Sequence, residues 1–290
     1  MIVRPKVSEM DGVATPSRMQ GVQVFQGQLV TLEWTMRDQD GNPVDLSDVL
    51  NEQPSASSGS SIQPLDTTIE LNIMECLSVG TQCVPLTLSG EIIDEAKGTV
   101  KVDLTPEAVS YAGVFYLEWR LKRPDGHAVL VNQGYMLVNR SITSQQATAP
   151  PTIQELRLSI RDSGPEDNYL LDRIEYDLAE VAIAMVQAVR TWNETMSFVN
   201  VRYNTTTFPY QRQWMFAIVG ELFLLAADNY DRNLQEYSAG GTSMRDKDKG
   251  PKYREKGVEL LQSYKSFVTQ RKAQLNLEQG YGHTEIYGGW

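Results

Sequence analysis

Apolar residues recur at two different periods along this chain, every second position in its first half and every third or fourth in its second half. The change falls across residues 141–151, Ser-Ile-Thr-Ser-Gln-Gln-Ala-Thr-Ala-Pro-Pro. In residues 28–35 small or polar side chains alternate with Leu29, Val30, Leu32 and Trp34, and Arg-Asp-Gln-Asp-Gly-Asn-Pro follows at 37–43. That is the pattern of a strand and a turn. It returns at 113–121, with Arg-Pro-Asp-Gly at 123–126 and a further strand over 129–138; other strands are predicted over 68–74, 84–93 and 98–104. About seven short strands separated by regular turns predict an immunoglobulin-like β-sandwich. We place it at 21–140, after an N-terminal arm at 1–20. The Ser-Gly stretch 53–61 is too poor in apolar side chains to pack and predicts an exposed loop.

The second half predicts an α-helical bundle over 152–275, so the chain as a whole is α+β and multidomain, with 141–151 as a polar linker. Thr152-Ile-Gln-Glu155, directly after Pro150-Pro151, carries the spacing of a capping box and predicts a helix from Ile153. Asp162-Ser-Gly-Pro-Glu-Asp-Asn ends it, and Glu166 and Asp167 suit the positive first turn of a next helix. There Leu171, Ile174, Leu178, Val181, Met185, Val189 and Trp192 form one apolar stripe. Residues 197–209, β-branched and broken by Pro209, predict an extended excursion. The apolar run 215–227, continuing the spacing of Trp214, Ile218, Leu222 and Leu225, predicts a buried helix ended by Gly240-Gly241. A last helix is expected over 252–275, with Val258, Leu261, Tyr264 and Val268 on one face.

Charge and candidate chemistry narrow the function mainly by exclusion. A formal net charge of −11 disfavours broad binding to nucleic-acid phosphates or anionic membranes. The opening residues lack the basic and apolar segments of a signal peptide, and 215–227 contains Glu221 and is shorter than the roughly 20 residues of a membrane span. Cys76 and Cys83, with His127 and His283, do not supply a four-ligand zinc site, and reduced thiols are expected in the cytosol. Asp38, Asp40 and Asn42 do not follow the order of a calcium loop and fit a hairpin turn. Trp34 and Trp119 sit in apolar strands, which favours core packing over a sugar platform. Glu221 has the setting of a catalytic acid but no partner carboxylate or His at a useful spacing. No catalytic residue, cofactor or metal is therefore expected. At the end of the chain, 276–290 combines glycines with Tyr281, Ile286, Tyr287 and Trp290, the anchors expected of a docking tail.

Two resemblances give these halves a context. Gln28-Leu-Val-Thr-Leu-Glu-Trp, Asp40-Gly-Asn-Pro-Val-Asp-Leu, Lys97-Gly-Thr-Val-Lys-Val and Gly113-Val-Phe-Tyr-Leu-Glu-Trp-Arg, over residues 20–140, resemble the amino-terminal domain of phage baseplate upper proteins. Thr152-Ile-Gln-Glu-Leu-Arg-Leu-Ser-Ile-Arg-Asp, then Glu166-Asp-Asn-Tyr-Leu-Leu-Asp and a helix, over 152–290, resemble the head-tail adaptors, or connectors, of tailed phages. The resemblance implies a non-enzymatic virion protein of the neck, assembled in the host cytoplasm. Its expected partners are its own copies in a ring of about twelve, the portal protein, and tail or neck proteins, with neither sequence-specific nucleic acid nor membrane among them. A baseplate or fibre-associated anchoring protein is the alternative. The fused N-terminal sandwich and the 197–209 excursion depart from the adaptor pattern.

Overall fold

The computed structural model describes residues 2–3, 20–38, 42–47, 68–77, 85–122, 128–141, 144, 146, 148–162, 175–196, 201–232, 236–239, 242–245 and 249–282. The chain is α+β and divides into two compact units, Met1–Ala147 with Asp177–Ala182, and Thr148–Tyr176 with Ile183–Trp290.

In the first unit the strands are β1 (Ile2–Val3), β2 (Gln20–Phe25), β3 (Val30–Thr35), β4 (Thr68–Glu75), β5 (Leu86–Asp94), β6 (Thr99–Leu104), β7 (Gly113–Lys122) and β8 (Ala128–Asn139). They hydrogen-bond in one continuous order, β1-β3-β6-β5-β4-β7-β8-β2. The edge pairs β1–β3 and β2–β8 are parallel and the others antiparallel. This is one mixed sheet that curls on itself, where the period-two pattern predicted two sheets of an immunoglobulin-like sandwich. The reason lies in β5, which pairs with β4 on one side and β6 on the other and bends at an irregularity between Ile92 and Asp94. Near the seam of the curl, the Gln20 side chain of β2 donates to the Thr35 carbonyl at the end of β3, 3.2 Å away.

Alternation decides which side chains fill the curl. Val30, Leu32 and Trp34 of β3, Ile69, Leu71 and Ile73 of β4, Val100, Val102 and Leu104 of β6, and Leu117, Trp119 and Leu121 of β7 are all buried in one core. Trp34 and Trp119 meet across it with ring centroids 5.9 Å apart. Neither indole N–H meets an acceptor among the described residues. An unmet donor costs about 1–3 kcal/mol, whereas burying roughly 200 Å² of indole at about 25 cal/mol per Å² contributes about 5 kcal/mol. Packing outweighs the lost hydrogen bond. The ring of Trp34 lies so close to β8 that a Cβ on Gly134 would stand 2.4 Å from it and 2.5 Å from the Gln20 carbonyl.

Several boundaries differ from the sequence pattern. Residues 20–25 are a strand, β2, although the sequence placed only an arm and the domain's start there; Gln28 and Leu29 belong to the turn before β3, where the Gln28 amide donates to the Phe25 carbonyl (3.1 Å). Asp38 and Asn42 form the expected turn, with the Asn42 amide 2.7 Å from the Asp38 carboxylate. The 53–61 loop, the 123–126 turn, Asp40, Cys83 and His127 lie outside the described residues. Cys76 is buried at the end of β4, its amide donating to the Val114 carbonyl.

The helices are α1 (Ile153–Ile160), α2 (Leu178–Glu194), α3 (Gln211–Arg232) and α4 (Lys249–Gly282), with a hairpin of β9 (Glu236–Ala239) and β10 (Thr242–Arg245) between α3 and α4. Thr152 and Glu155 make the predicted capping box at α1. Arg161 ends α1 in the left-handed conformation (φ 60°). This delivers Asp162 to a buried position where its carboxylate takes Arg157 at 2.5 Å and the amides of Glu175 and Tyr176 at 2.8 and 3.4 Å. Glu166 and Asp167, with Leu171 and Ile174 of the expected stripe, lie outside the described residues, and the next described helix starts at Leu178. Its cap is a second capping box, the Glu180 amide donating to the Asp177 side chain (2.7 Å) and the Asp177 amide to that of Glu180 (3.0 Å). The first turn of α2 belongs to the first unit, the rest to the second.

In the second unit α3 and α4 both reach the backbone of α2. The Trp214 indole donates to the Met185 carbonyl at 3.0 Å and the Tyr264 hydroxyl to that of Ala188 at 2.8 Å. α3 and α4 approach closely at Gly220 and Gly257, where a Cβ on Gly257 would lie 2.9 Å from the Gly220 carbonyl. The expected α4 face is partly corrected: Tyr264 and Val268 are buried, but Val258 is 40% exposed because Gly257 occupies the contact. The 197–209 excursion, as far as 201–209 shows it, is irregular and buries Thr205 and Phe208. Gly240 and Gly241, where a helix-ending turn was expected, lie outside the described residues; on either side of them Ala239 pairs with Thr242.

If the Trp34–Gly134 approach sets the curl of the sheet, Gly134→Ala should destabilise the first unit by about 1–3 kcal/mol, the cost of overpacking a filled core. Urea unfolding followed by tryptophan fluorescence measures this; an unchanged midpoint would show that the approach carries no constraint.

Candidate functional site

Among the described residues, the chemistry-bearing residues read from the sequence do not converge. Tyr281 falls in the last turn of α4 by its backbone, while Ile286, Tyr287, Trp290 and His283 lie outside the described residues. Trp34 and Trp119 are core residues. Among the described residues no group of three or more His, Cys, Asp and Glu is placed to hold a metal ion, and no helix is long and apolar enough to cross a membrane.

Glu221, the carboxylate that stood out in the sequence, is half-buried on α3. Burial pushes its carboxyl above the ordinary 4.5, with Lys265 of α4 pulling the other way. Glu175 is raised too, by burial first, against a hydrogen bond from the Tyr230 hydroxyl at 3.2 Å. At the other end of the helices, Lys272 is buried, donates to the Thr195 carbonyl and lies over the Trp192 ring at 5.4 Å. Burial lowers its ammonium below 10.5, and Arg202 adds to this. Trp192 is ringed there by Tyr203, Phe208, Tyr210 and Phe267. In this cluster the Lys272 ammonium closes the end of α2 and packs on an aromatic face, a structural arrangement.

The surface feature with binding geometry is on the outer face of the first unit's sheet. Inward Leu117, Trp119 and Leu121 of β7 leave Tyr116, Glu118 and Arg120 pointing outward. With Asn72 and Met74 of β4, Pro85 before β5, and Gln133 of β8 they line a groove of about 450 Å³. Its polar side is held in place: Arg120 bonds Glu118 through Nε and Nη2, both at 2.5 Å, and Gln133 donates to the other Glu118 oxygen at 3.1 Å. Asn72 accepts from the Thr87 hydroxyl at 2.7 Å. The apolar side consists of Tyr116, packed on Tyr135 at 5.1 Å, and Met74, 39% exposed. The strand parity of residues 113–122 places Tyr116, Glu118 and Arg120 on one face. Their joining to β4 and β8 needed the long-range pairing.

Charge is divided unevenly. The first unit holds ten Lys and Arg against twenty Asp and Glu, a formal −10 of the chain's −11.

No protein-family profile matches the chain, and no curated protein matches it in sequence. Among solved structures it is similar to the N-terminal domain of phage TP901-1 ORF48, with a TM-score of 0.29 and 10% sequence identity, over 48% of this chain and 96% of that domain.

The setting of Glu221 has a testable consequence. Its folded carboxyl titrates above the unfolded one, so the fold favours the protonated form; this contribution is full below pH 4.5 and is lost as pH rises through the folded value. Glu221→Gln should therefore melt higher than the wild type at neutral pH, with the gap closing toward pH 4.5. Thermal unfolding across that range checks it; a lower melting temperature at neutral pH would mean that Lys265 makes the charge stabilising.

Proposed function

We propose that this chain is a non-enzymatic structural protein of a tailed-bacteriophage virion, a head-tail adaptor that forms a ring in the neck. On this reading the helical unit is a bundle-type module that docks on the portal, and the curled-sheet unit meets neighbouring copies and tail or neck proteins. The supporting observation is the order of the helical unit: a box-capped short helix from Thr152, an acidic stop at Asp162, a second capped helix and a closely packed helix pair. That order underlies the resemblance to adaptors. The first unit's charge of −10 supports partners that are basic protein surfaces, since it repels phosphate backbones and anionic membranes.

The baseplate or fibre-associated alternative draws support from the resemblance of residues 20–140 to baseplate upper proteins. Symmetry separates the two. Native mass measurement of the purified chain, alone and with a portal, should give a closed assembly of about twelve copies that binds the portal; a threefold or sixfold assembly indifferent to the portal would favour the alternative.

A further inference from the structure

We propose that the groove on the outer face of β4, β7 and β8 is a binding site for a neutral saccharide. This goes beyond the ring reading and does not rest on it. Strand register builds the site from two adjacent rows. Asn72 of β4, Glu118 of β7 and Gln133 of β8 stand opposite one another, with Thr87 of β5 opposite Asn72, and form a polar row. Two residues along each strand, Met74, Tyr116 and Tyr135 stand opposite in the same way and form an apolar row. At about 3.3 Å per residue the rows run roughly 7 Å apart, the scale of a sugar ring. A pyranose carries the same division within itself, with C–H groups on its faces and hydroxyls around its edge. Laid on Met74 and the half-buried Tyr116, it turns hydroxyls toward Asn72 and Gln133. The volume of about 450 Å³ falls within the range of small-molecule sites, roughly 300–1,000 Å³, which likewise combine apolar walls with a few placed polar groups.

Charge balance selects the class of ligand. The charged lining is paired within itself: Arg120 Nε and Nη2 hold one Glu118 oxygen at 2.5 Å and Gln133 donates to the other at 3.1 Å. Beside them Lys122 holds Glu70 at 2.5 Å. An anionic ligand therefore meets no unmatched cation, in a unit of formal charge −10, and a cationic one meets no unmatched carboxylate. What the network leaves is hydrogen-bonding capacity of both signs. Asn72 accepts the Thr87 hydroxyl proton through Oδ1, so its Nδ2 donors remain, and Gln133 donates to Glu118 through Nε2, so its Oε1 acceptor remains. A sugar hydroxyl donates and accepts at once and matches that pair; a ligand with donors alone or acceptors alone leaves one of the two unmet. The bonds that fix these side chains to their neighbours also hold them ready, which lowers the ordering cost of binding.

The test applies the full chain, fluorescently labelled, to an array of immobilised neutral, sialylated and sulfated oligosaccharides, with free saccharide as competitor. Neutral saccharides should be retained and displaced by the competitor, and sialylated or sulfated forms of the same chains should bind no better. Gln133→Ala, at an exposed position, and separately Asn72→Ala should each weaken retention by about tenfold, the loss of one hydrogen bond, while the protein melts as the wild type does. Retention of no neutral saccharide, retention confined to the acidic ones, or retention unchanged in both variants would overturn the assignment. None of these outcomes touches the ring reading, which the native mass decides separately.

Discussion

The close approach of Trp34 to Gly134 is the constraint on which the first unit depends. A strand pair packed across a curled sheet needs one position without a side chain where the largest side chain crosses it. Gly134 supplies that space, and Trp119 then closes on the Trp34 ring from β7. The two indole N–H groups are given up to this packing, which fixes the inner parity of β7 and β8. Because parity is fixed inside, it is fixed outside: Tyr116, Glu118, Arg120 and Gln133 are set in a row on a rigid sheet. A surface built this way is pre-organised for docking, as side chains on strands lose little further freedom when covered.

The second unit solves the same problem of buried aromatics differently. Trp214, Tyr264 and Trp192 each direct a polar atom to a backbone carbonyl, of Met185, Ala188 and Val201 respectively. The first two bonds tie α3 and α4 to α2 and the third ties α2 to the segment after it, while Gly220 and Gly257 allow the helix pair to pack at backbone distance. The polar groups that stand out in this unit, Asp162, Lys272 and Glu221, hold chain segments together or face a neighbouring helix. Such an arrangement suits a part whose work is to keep its shape under assembly contacts.

What could be read from the sequence follows from the range of each signal. The local ones were legible: Val30, Leu32 and Trp34 alternate as a strand, and Thr152 and Glu155 box a helix start. Asp177 and Glu180 carry the same cap spacing but lay inside an apolar stripe already joined to Leu171 and Ile174, so the true start was hidden. On α4 the contact positions Gly250 and Gly257 have no side chain and read as gaps, which drew Val258 into the face in their place. The single continuous sheet was not legible, because β5 joins its two halves through pairings that periodicity does not encode. The groove was half legible: parity put Tyr116, Glu118 and Arg120 together, and only the pairing of β7 with β4 and β8 brought Met74 and Gln133 beside them.

The functional reading asks the first unit to be a stiff platform, and residue-resolved amide hydrogen exchange tests that most directly. Amides of β3, β7 and β8 around Trp34, Trp119 and Gly134 should exchange only through global unfolding and be the slowest of the unit. Exchange at these amides as fast as in the turns at Gln28 or Asn42 would contradict a Trp-locked sheet, and with it the rigid outer face on which docking depends.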